Sequence, residues 1–288
     1  MARNGFGEDG PLNLSSLPSF FIIGPPRTGT TWLHTVLSQR AWLADPTKET
    51  RFFDKHFDRG LEWYRSHYRK ATDERAIGEI APTYFSSQQA RERIAQLIPH
   101  AKIICTFRDP ADRVISLYRL KRAYGFIRWT LEEALERDPE LIESSRYASH
   151  LKEWKKALGE SQVLAMLHED IERDAQLFLD TLASFIGISR VKLVPAQSRR
   201  VFSSDELSEP RNYYWTRGAM VLSEWAKAQR LDSVVAFAKR MGAVKLFVGG
   251  GAGFQKVTYS ERIKLRKLFR SEVEALEAML GRDLSGWK

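Results

Sequence analysis

Gly24-Pro25-Pro26-Arg27-Thr28-Gly29-Thr30-Thr31-Trp32 is the stretch of this sequence that decides the fold. It follows Phe20-Phe21-Ile22-Ile23, a short apolar run typical of a buried strand, and leads into an apolar helical pattern over residues 33–37. A glycine-rich turn between a strand and a helix directs backbone N–H groups and the positive helix end toward an anion. The sequence therefore predicts an anion-binding loop at its first strand–helix junction.

This loop differs from the phosphate loop of nucleoside triphosphatases, whose pattern is Gly, four residues, Gly-Lys-Ser/Thr. Gly24 and Gly29 keep the glycine spacing and Thr31 keeps the hydroxyl, but Thr30 stands at the lysine position. The cation is instead Arg27, which indicates an anion shorter than a triphosphate. No clear aspartate ends a strand to hold Mg²⁺, so a metal-dependent kinase is the weaker alternative.

Strand and helix patterns alternate along most of the chain. Further strand patterns cover residues 76–80, 102–107 and 163–167, and helical patterns cover residues 87–98, 110–121, 147–158, 175–186 and 260–280. This alternation predicts an α/β fold, a three-layer arrangement in which a central parallel β-sheet is flanked by helices.

One region interrupts the alternation. Residues 201–256 contain a predicted loop at Tyr213-Tyr214-Trp215, two helical stretches and a glycine cluster at 249–253. We interpret 201–256 as a cap or lid on a single domain that covers residues 19–288. Residues 1–18 are polar and rich in glycine and proline, and are interpreted as a flexible lead-in.

Composition narrows the class of protein. The 288 residues are 43% hydrophobic and 28% charged, as in globular proteins, and the net charge of +9 favours anionic partners. Basic residues are spread along the chain, which argues against a nucleic-acid-binding arm. The single cysteine, Cys105, lies in an apolar run and is interpreted as a buried hydrophobe. We expect a cytoplasmic protein without a signal peptide or a membrane-spanning helix.

A second motif follows the strand pattern at 102–107. Arg108 stands at the end of that strand and Ser116 lies two turns into the next helix, so that a guanidinium and a hydroxyl can converge on one phosphate. Asp112 and Arg113, between them, are interpreted as solvated helix charges.

Together, the two motifs resemble those of the sulfotransferases that use 3′-phosphoadenosine-5′-phosphosulfate (PAPS), in both order and spacing. The likeness extends to residues 48–54, 60–64, 78–85, 147–154 and 280–287, and is strongest to the heparan-sulfate branch and its bacterial relatives. It implies a P-loop-like fold, with 26–32 binding the 5′-phosphosulfate and Arg108 and Ser116 binding the 3′-phosphate. Arg27 and Ile80 depart from the family, which often has lysine at the first position and, in the heparan-sulfate branch, at the second.

The resemblance also implies catalytic roles. It places the general base at Glu49, with Arg27 and the N–H groups of 28–31 stabilising the transferred group; Glu79 is the reserve candidate for the base. Trp32 either walls the adenine or packs in the core, and Lys48 either orients the sulfuryl group or is solvated. Other candidates, each with a plain structural alternative, are His34, His56 and His67 as bases and Lys256 as a clamp on the 3′-phosphate.

The acceptor stays open: a hydroxyl or amine of a carbohydrate, lipid or small molecule, for which Tyr213-Tyr214-Trp215 is a candidate lining. No metal is expected to be required. Besides the kinase, two non-enzymatic alternatives remain. One is a catalytically silent module that binds the product 3′-phosphoadenosine-5′-phosphate (PAP) or another anion. The other is a basic protein that contacts acidic lipid through residues 220–248.

Overall fold

The computed structural model describes residues 17–69, 71, 75–194, 207–229, 231, 235 and 248–288. Its centre is a five-stranded sheet in the order β2-β3-β1-β4-β5, in which all neighbours are parallel. The strands are β1 (Phe20–Ile22), β2 (Trp42–Leu43), β3 (Ile77–Ile80), β4 (Lys102–Phe107) and β5 (Val163–Leu167). The predicted fold class is confirmed; only the short edge strand β2 had no prediction.

Helices connect these strands. In the described residues they are α1 (Thr30–Leu37), α2 (Gly60–Arg65), α3 (Gln88–Leu97), α4 (Pro110–Ala123), α5 (Leu131–Arg137), α6 (Glu140–Glu143), α7 (Tyr147–Leu158), α8 (His168–Ile186), α9 (Tyr213–Ala228) and α10 (Tyr259–Leu280). Their starts follow capping chemistry. Asp109 accepts hydrogen bonds from the N–H groups of Ala111 and Asp112, and Pro110 occupies the first turn of α4.

The two faces of the sheet are buried by different helices because side chains alternate along each strand. Phe20 and Ile22 belong to an apolar cluster with residues of α1 and α8, including Phe178. Phe21 and Ile23 belong to the larger cluster, with residues of α4, α7 and α10. The sheet is therefore covered on both sides, as the near-continuous apolar character of β1 and β4 requires.

β1 and β3 end side by side, and the neighbouring β4 continues three residues further in the same direction. Ile22 of β1 is paired with Ile80 of β3 on one side and with Ile104 of β4 on the other. Because the strands are parallel, the segments that follow them emerge at one edge of the sheet. This edge, between strands whose helices lie on opposite faces, is where ligands bind in open α/β sheets.

The region of the predicted cap is partly described. β6 (Ser208–Pro210) pairs antiparallel with β7 (Gly250–Gly253), which contains part of the glycine cluster. The prediction of a loop at Tyr213-Tyr214-Trp215 is wrong, because these residues begin α9. Asn212 explains the helix start, since its Oδ1 accepts hydrogen bonds from the N–H groups of Tyr214 and Trp215.

The boundaries predicted for the domain and its cap stay predictions. Residues 1–16, 201–206, 230, 232–234 and 236–247 lie outside the described part of the chain. Leu17, which we assigned to the lead-in, is buried in the larger apolar cluster. None of the described helices combines the length and the apolar character needed to cross a bilayer.

Candidate functional site

The loop after β1 has a constrained backbone. Arg27 has φ 78° and Gly29 has φ 94°, both in the left-handed region. Thr28 is fully buried; its hydroxyl donates to the carbonyl of Pro25 at 2.8 Å and shares a hydrogen bond with the hydroxyl of Thr106 at 2.8 Å. The Thr28 side chain therefore fixes the loop to β4, so only its backbone N–H is left to meet a ligand.

Gly24 allows the start of the loop to lie close to Thr106 of β4. A Cβ at Gly24 would lie 2.1 Å from Thr106 Oγ1 and 2.7 Å from the Thr106 backbone nitrogen. We expect Gly24→Ala to lower the free energy of unfolding by about 1–3 kcal/mol, because the strand ends must separate to admit the methyl group. Urea denaturation measures this loss.

Gly218→Ala on α9 is the matched control for this substitution. A Cβ there meets no atom within 4 Å, and alanine favours the helix over glycine. The midpoint of this variant should stay constant or rise. Equal midpoints for Gly24→Ala and the wild type would contradict the close packing of β1 against Thr106.

The structure brings Arg27, Arg108 and Ser116 together from two separate motifs. Arg27 Nε donates to Ser116 Oγ at 2.8 Å, although the two residues lie 89 positions apart. Burial, followed by the nearby positive charge of Arg108, lowers the pKa of Arg27. A guanidinium whose charge is disfavoured by burial and by a neighbouring cation, next to a buried hydroxyl, forms a site that an anion would stabilise.

Lys48 and Glu49 face the same loop. Lys48 Nζ donates to Thr31 Oγ1 at 3.2 Å and forms an ion pair with Glu49 Oε1 at 3.4 Å. The side chains of Lys48 and Glu49 are 29% and 32% exposed, respectively. Glu49 therefore has access to solvent and lies within two contacts of the anion loop, as a base acting on a bound acceptor requires.

Glu79 has a different environment. It is fully buried in β3 and its carboxylate accepts four hydrogen bonds from Thr50, Tyr64 and Tyr84. Burial raises its pKa to about 7, against the opposing effect of these hydrogen bonds. A carboxylate without solvent access, with four donors already bound, is poorly placed to take a proton from an acceptor, whereas Glu49 is partly exposed; which of the two is the base stays a prediction.

The remaining residues of the predicted loop occupy two environments. Pro26 and Thr31 are half-buried, whereas Thr30 and Trp32 are buried at the start of α1. The Trp32 ring packs edge-on against Phe178 at 6.2 Å between centroids. This favours the core-packing alternative for Trp32, and its contact with adenine stays a prediction.

The candidate histidines and Lys256 are less central. Burial, then Lys48, lowers the pKa of His34 on α1. The rings of His56 and His67 both pack edge-on against Trp63. Lys256 is exposed between β7 and α10, and its role as a clamp stays a prediction.

Arg113 and Asp112, near Ser116, are less exposed than their interpretation as solvated helix charges predicted. Arg113 is fully buried: its Nε donates to Ser145 Oγ at 2.7 Å and its Nη2 to the Leu141 carbonyl at 2.6 Å. Asp112 is half-buried and forms an ion pair with Arg262 of α10. The helical pattern could not reveal this, because the packing partners are distant in sequence.

Sequence reasoning missed the residues that support the loop at 47–54. Thr50, Tyr64 and Tyr84 surround Glu79, yet none was given a role. The available signal was a glutamate within the otherwise apolar strand at 77–80, since buried carboxylates need hydrogen-bond donors. The prediction that Cys105 is a buried hydrophobe is confirmed. The described residues include no group of three or more His, Cys, Asp or Glu arranged to hold a metal ion.

The structure shows an α/β protein in which the predicted anion loop follows β1 and a second cationic residue, Arg108, follows β4. The sequence model of the family described as Sulfotransferase domain matches residues 17–230, and the chain belongs to this family. Among curated relatives, bifunctional heparan sulfate N-deacetylase/N-sulfotransferase 1 of Mus musculus is 29% identical over 195 residues. The corresponding enzyme 3 of Homo sapiens is 27% identical over 195 residues.

These matches are partial. Each covers 60% of this chain and 22% of the relative's length. Among solved structures, a sulfotransferase from Alicyclobacillus acidocaldarius has a TM-score of 0.65 at 22% identity, covering 94% of this chain and 98% of that one. This likeness supports the fold, and the fold alone.

Proposed function

We propose that this protein transfers a sulfuryl group from PAPS to a hydroxyl or amine of an acceptor. The observation that carries the proposal is the convergence of Arg27, Arg108 and Ser116 at the carboxyl edge of the sheet. It is supported by membership of the sulfotransferase family. The residues fit the cofactor because they offer charge and hydrogen-bond donors to two separate anionic groups, a 5′-phosphosulfate and a 3′-phosphate.

The two motifs then have distinct tasks. Arg27 and the N–H groups of 28–31 bind the 5′-phosphosulfate at the start of α1, where the helix dipole favours negative charge. Arg108 and Ser116 bind the 3′-phosphate, the group that PAPS has and ATP lacks. In this scheme Arg27 releases Ser116 and turns toward the phosphosulfate when the cofactor binds.

The acceptor oxygen or nitrogen attacks sulfur as the bond from sulfur to the 5′-phosphate oxygen breaks, and PAP is the leaving group. Glu49 takes the acceptor's proton. Arg27 stabilises the negative charge that develops on the departing phosphate oxygen, and it does so as a fixed cation, because a guanidinium does not give up its proton. Lys48, held between Thr31 and Glu49, adds positive charge to the path of transfer.

We propose only a broad class of acceptor, namely a carbohydrate, a lipid or a small molecule. The curated relatives are named for heparan sulfate. Ile80 of this chain, however, stands at a position where the resemblance to the heparan-sulfate branch leads us to expect lysine. A panel with a glucosamine oligosaccharide, a glycolipid and 2-naphthol separates amine, sugar and phenol acceptors. The single buried Cys105 supports the proposed location in the reducing cytoplasm.

Thermal unfolding with PAP, ADP or ATP, each with and without Mg²⁺, tests the cofactor assignment. At 100 times its dissociation constant, PAP should add about 2.7 kcal/mol to the free energy of unfolding, without a need for Mg²⁺. Arg108→Ala should abolish the shift. Arg270→Ala, which removes an exposed arginine of α10, should retain it.

Other outcomes select the alternatives. Stabilisation by ATP with Mg²⁺, without stabilisation by PAP, would contradict the proposed sulfotransferase and favour the kinase alternative. Stabilisation by PAP with no PAP release from PAPS, whether to the acceptor panel or to water, would leave a silent binding module.

A further inference from the structure

Glu79 lies beneath the segment that carries Glu49. Its Oε1 accepts hydrogen bonds from the Thr50 N–H at 3.2 Å, the Thr50 hydroxyl at 2.5 Å and the Tyr84 hydroxyl at 3.1 Å. Its Oε2 accepts from the Tyr64 hydroxyl at 2.6 Å. One fully buried carboxylate thus binds four donors, two of which belong to the residue next to Glu49.

Two of these hydroxyls extend the contact further along the segment. The Thr50 hydroxyl oxygen accepts from the Phe52 N–H at 3.1 Å, and the Tyr84 hydroxyl oxygen accepts from the Phe53 N–H at 3.2 Å. Three backbone N–H groups between 50 and 53 therefore depend on Glu79, directly or through one hydroxyl. Arg51, between them, has φ 54°, a strained conformation for a residue with a side chain.

We propose that Glu79 is a positioning residue that acts in its ionised form through Thr50 to hold Glu49 against the anion loop. This inference rests on the proposed function and adds a residue to it. Glu79 touches neither cofactor nor acceptor. It sets the backbone conformation from which the Glu49 side chain projects.

The four donors fit the ionised form of Glu79. The Thr50 N–H can only donate, and a carboxylate accepts from all four groups at once, whereas a protonated carboxyl would donate its own proton to one of the hydroxyls and lose that hydroxyl as a donor. A neutral carboxyl is also a weaker acceptor than a carboxylate, so protonation loosens the contacts to Thr50.

The ionisation of Glu79 falls within the working range of an enzyme. Burial raises its pKa to about 7, and the hydrogen bonds from Thr50, Tyr64 and Tyr84 oppose this increase. The titratable groups described around it are Tyr64 and Tyr68 from α2 and the turn after it, and Tyr84 from the turn after β3. Burial raises the pKa of all three tyrosines well above the usual value, so they stay neutral.

The sign of the pH dependence follows. Below pH 7 Glu79 is mostly protonated and the segment is loosely held; above pH 7 it is ionised and the segment is fixed. The turnover number should rise as pH increases through about 7.

Three variants test this. Glu79→Gln keeps the shape but resembles the protonated acid, so its turnover at pH 8.5 should fall about tenfold and its profile should lose the rise near pH 7. Tyr64→Phe removes one donor to the ionised form and should move the rise to higher pH. Glu62→Gln, at a side chain that is 87% exposed, should match the wild type.

The first measurement is PAP release from PAPS between pH 5.5 and 9, with the fastest acceptor of the panel or with water. The second is amide hydrogen exchange of residues 47–54, which should be about tenfold faster in Glu79→Gln at pH 8.5, with the affinity for PAP unchanged.

A wild-type pH profile and wild-type exchange in Glu79→Gln would overturn the positioning role. Wild-type protein that neither binds PAP nor consumes PAPS would overturn the proposed function instead, and the exchange data would still decide whether Glu79 fixes the segment.

Discussion

Glu49→Gln should lower the turnover number by about 10²- to 10⁴-fold, the range that a positioned general base contributes. The amide has nearly the same shape as the carboxylate but cannot accept a proton at neutral pH. Because Glu49 does not belong to the motifs that bind the cofactor, the affinity for PAP should be retained. The ion pair with Lys48 is lost, whereas the hydrogen bond from Lys48 to Thr31 remains.

The measurement is PAPS turnover at saturating cofactor, together with PAP binding by calorimetry. Glu92→Gln, on the exposed side of α3, is the matched control and should behave as the wild type. Full turnover in Glu49→Gln would assign the base to another residue. The turnover number of Glu79→Gln then becomes decisive, because loss of a base at Glu79 would lower it by far more than the tenfold expected of a positioning residue.

Arg27→Ala and Arg27→Gly should both lower the turnover number by about 10²- to 10³-fold, since each removes the cation from the leaving oxygen. They should differ in stability. Arg27 has φ 78°, a conformation that costs about 1–2 kcal/mol for a residue with a Cβ and little for glycine. The glycine variant should therefore unfold at a higher urea concentration than the alanine variant.

Comparing the two variants cancels the loss of the hydrogen bond to Ser116, which both share. Arg27→Lys retains a cation and should recover part of the activity while keeping the backbone strain. Equal stability of the alanine and glycine variants would mean that the loop relaxes out of the left-handed conformation when the arginine is removed.

The strand and helix patterns were sufficient for four of the five strands of the central sheet and for helices α3, α4, α7 and α10, because apolar periodicity reports directly on burial. β4, β5 and α7 begin and end where the sequence predicts. Glycine spacing and a strand end likewise located the loop after β1 and Arg108 near it, whereas anion binding by these residues stays a prediction. These signals are local in sequence, and the resemblance to sulfotransferases contributed Glu49 as the proposed base.

The sequence patterns could not predict contacts between segments that are distant along the chain. Arg113 looks like a surface charge in a helical pattern, and only the packing of residues 141–145 against α4 buries it. The hydrogen bond from Arg27 to Ser116 and the four donors around Glu79 likewise depend on tertiary structure. The start of α9 was missed because adjacent aromatic residues suggested a loop, whereas Asn212 supplies the cap.

The closing helix α10 is tied to the first turn of α4 by two ion pairs, Asp109 with Arg266 and Asp112 with Arg262. The same helix α4 carries Ser116. In chimeras between members of this family, the acidic and basic members of these pairs should therefore come from one parent. A crossover between α4 and α10 that replaced one member of a pair and not the other would break the ion pairs that join the two helices, even when every residue proposed to bind the cofactor is preserved.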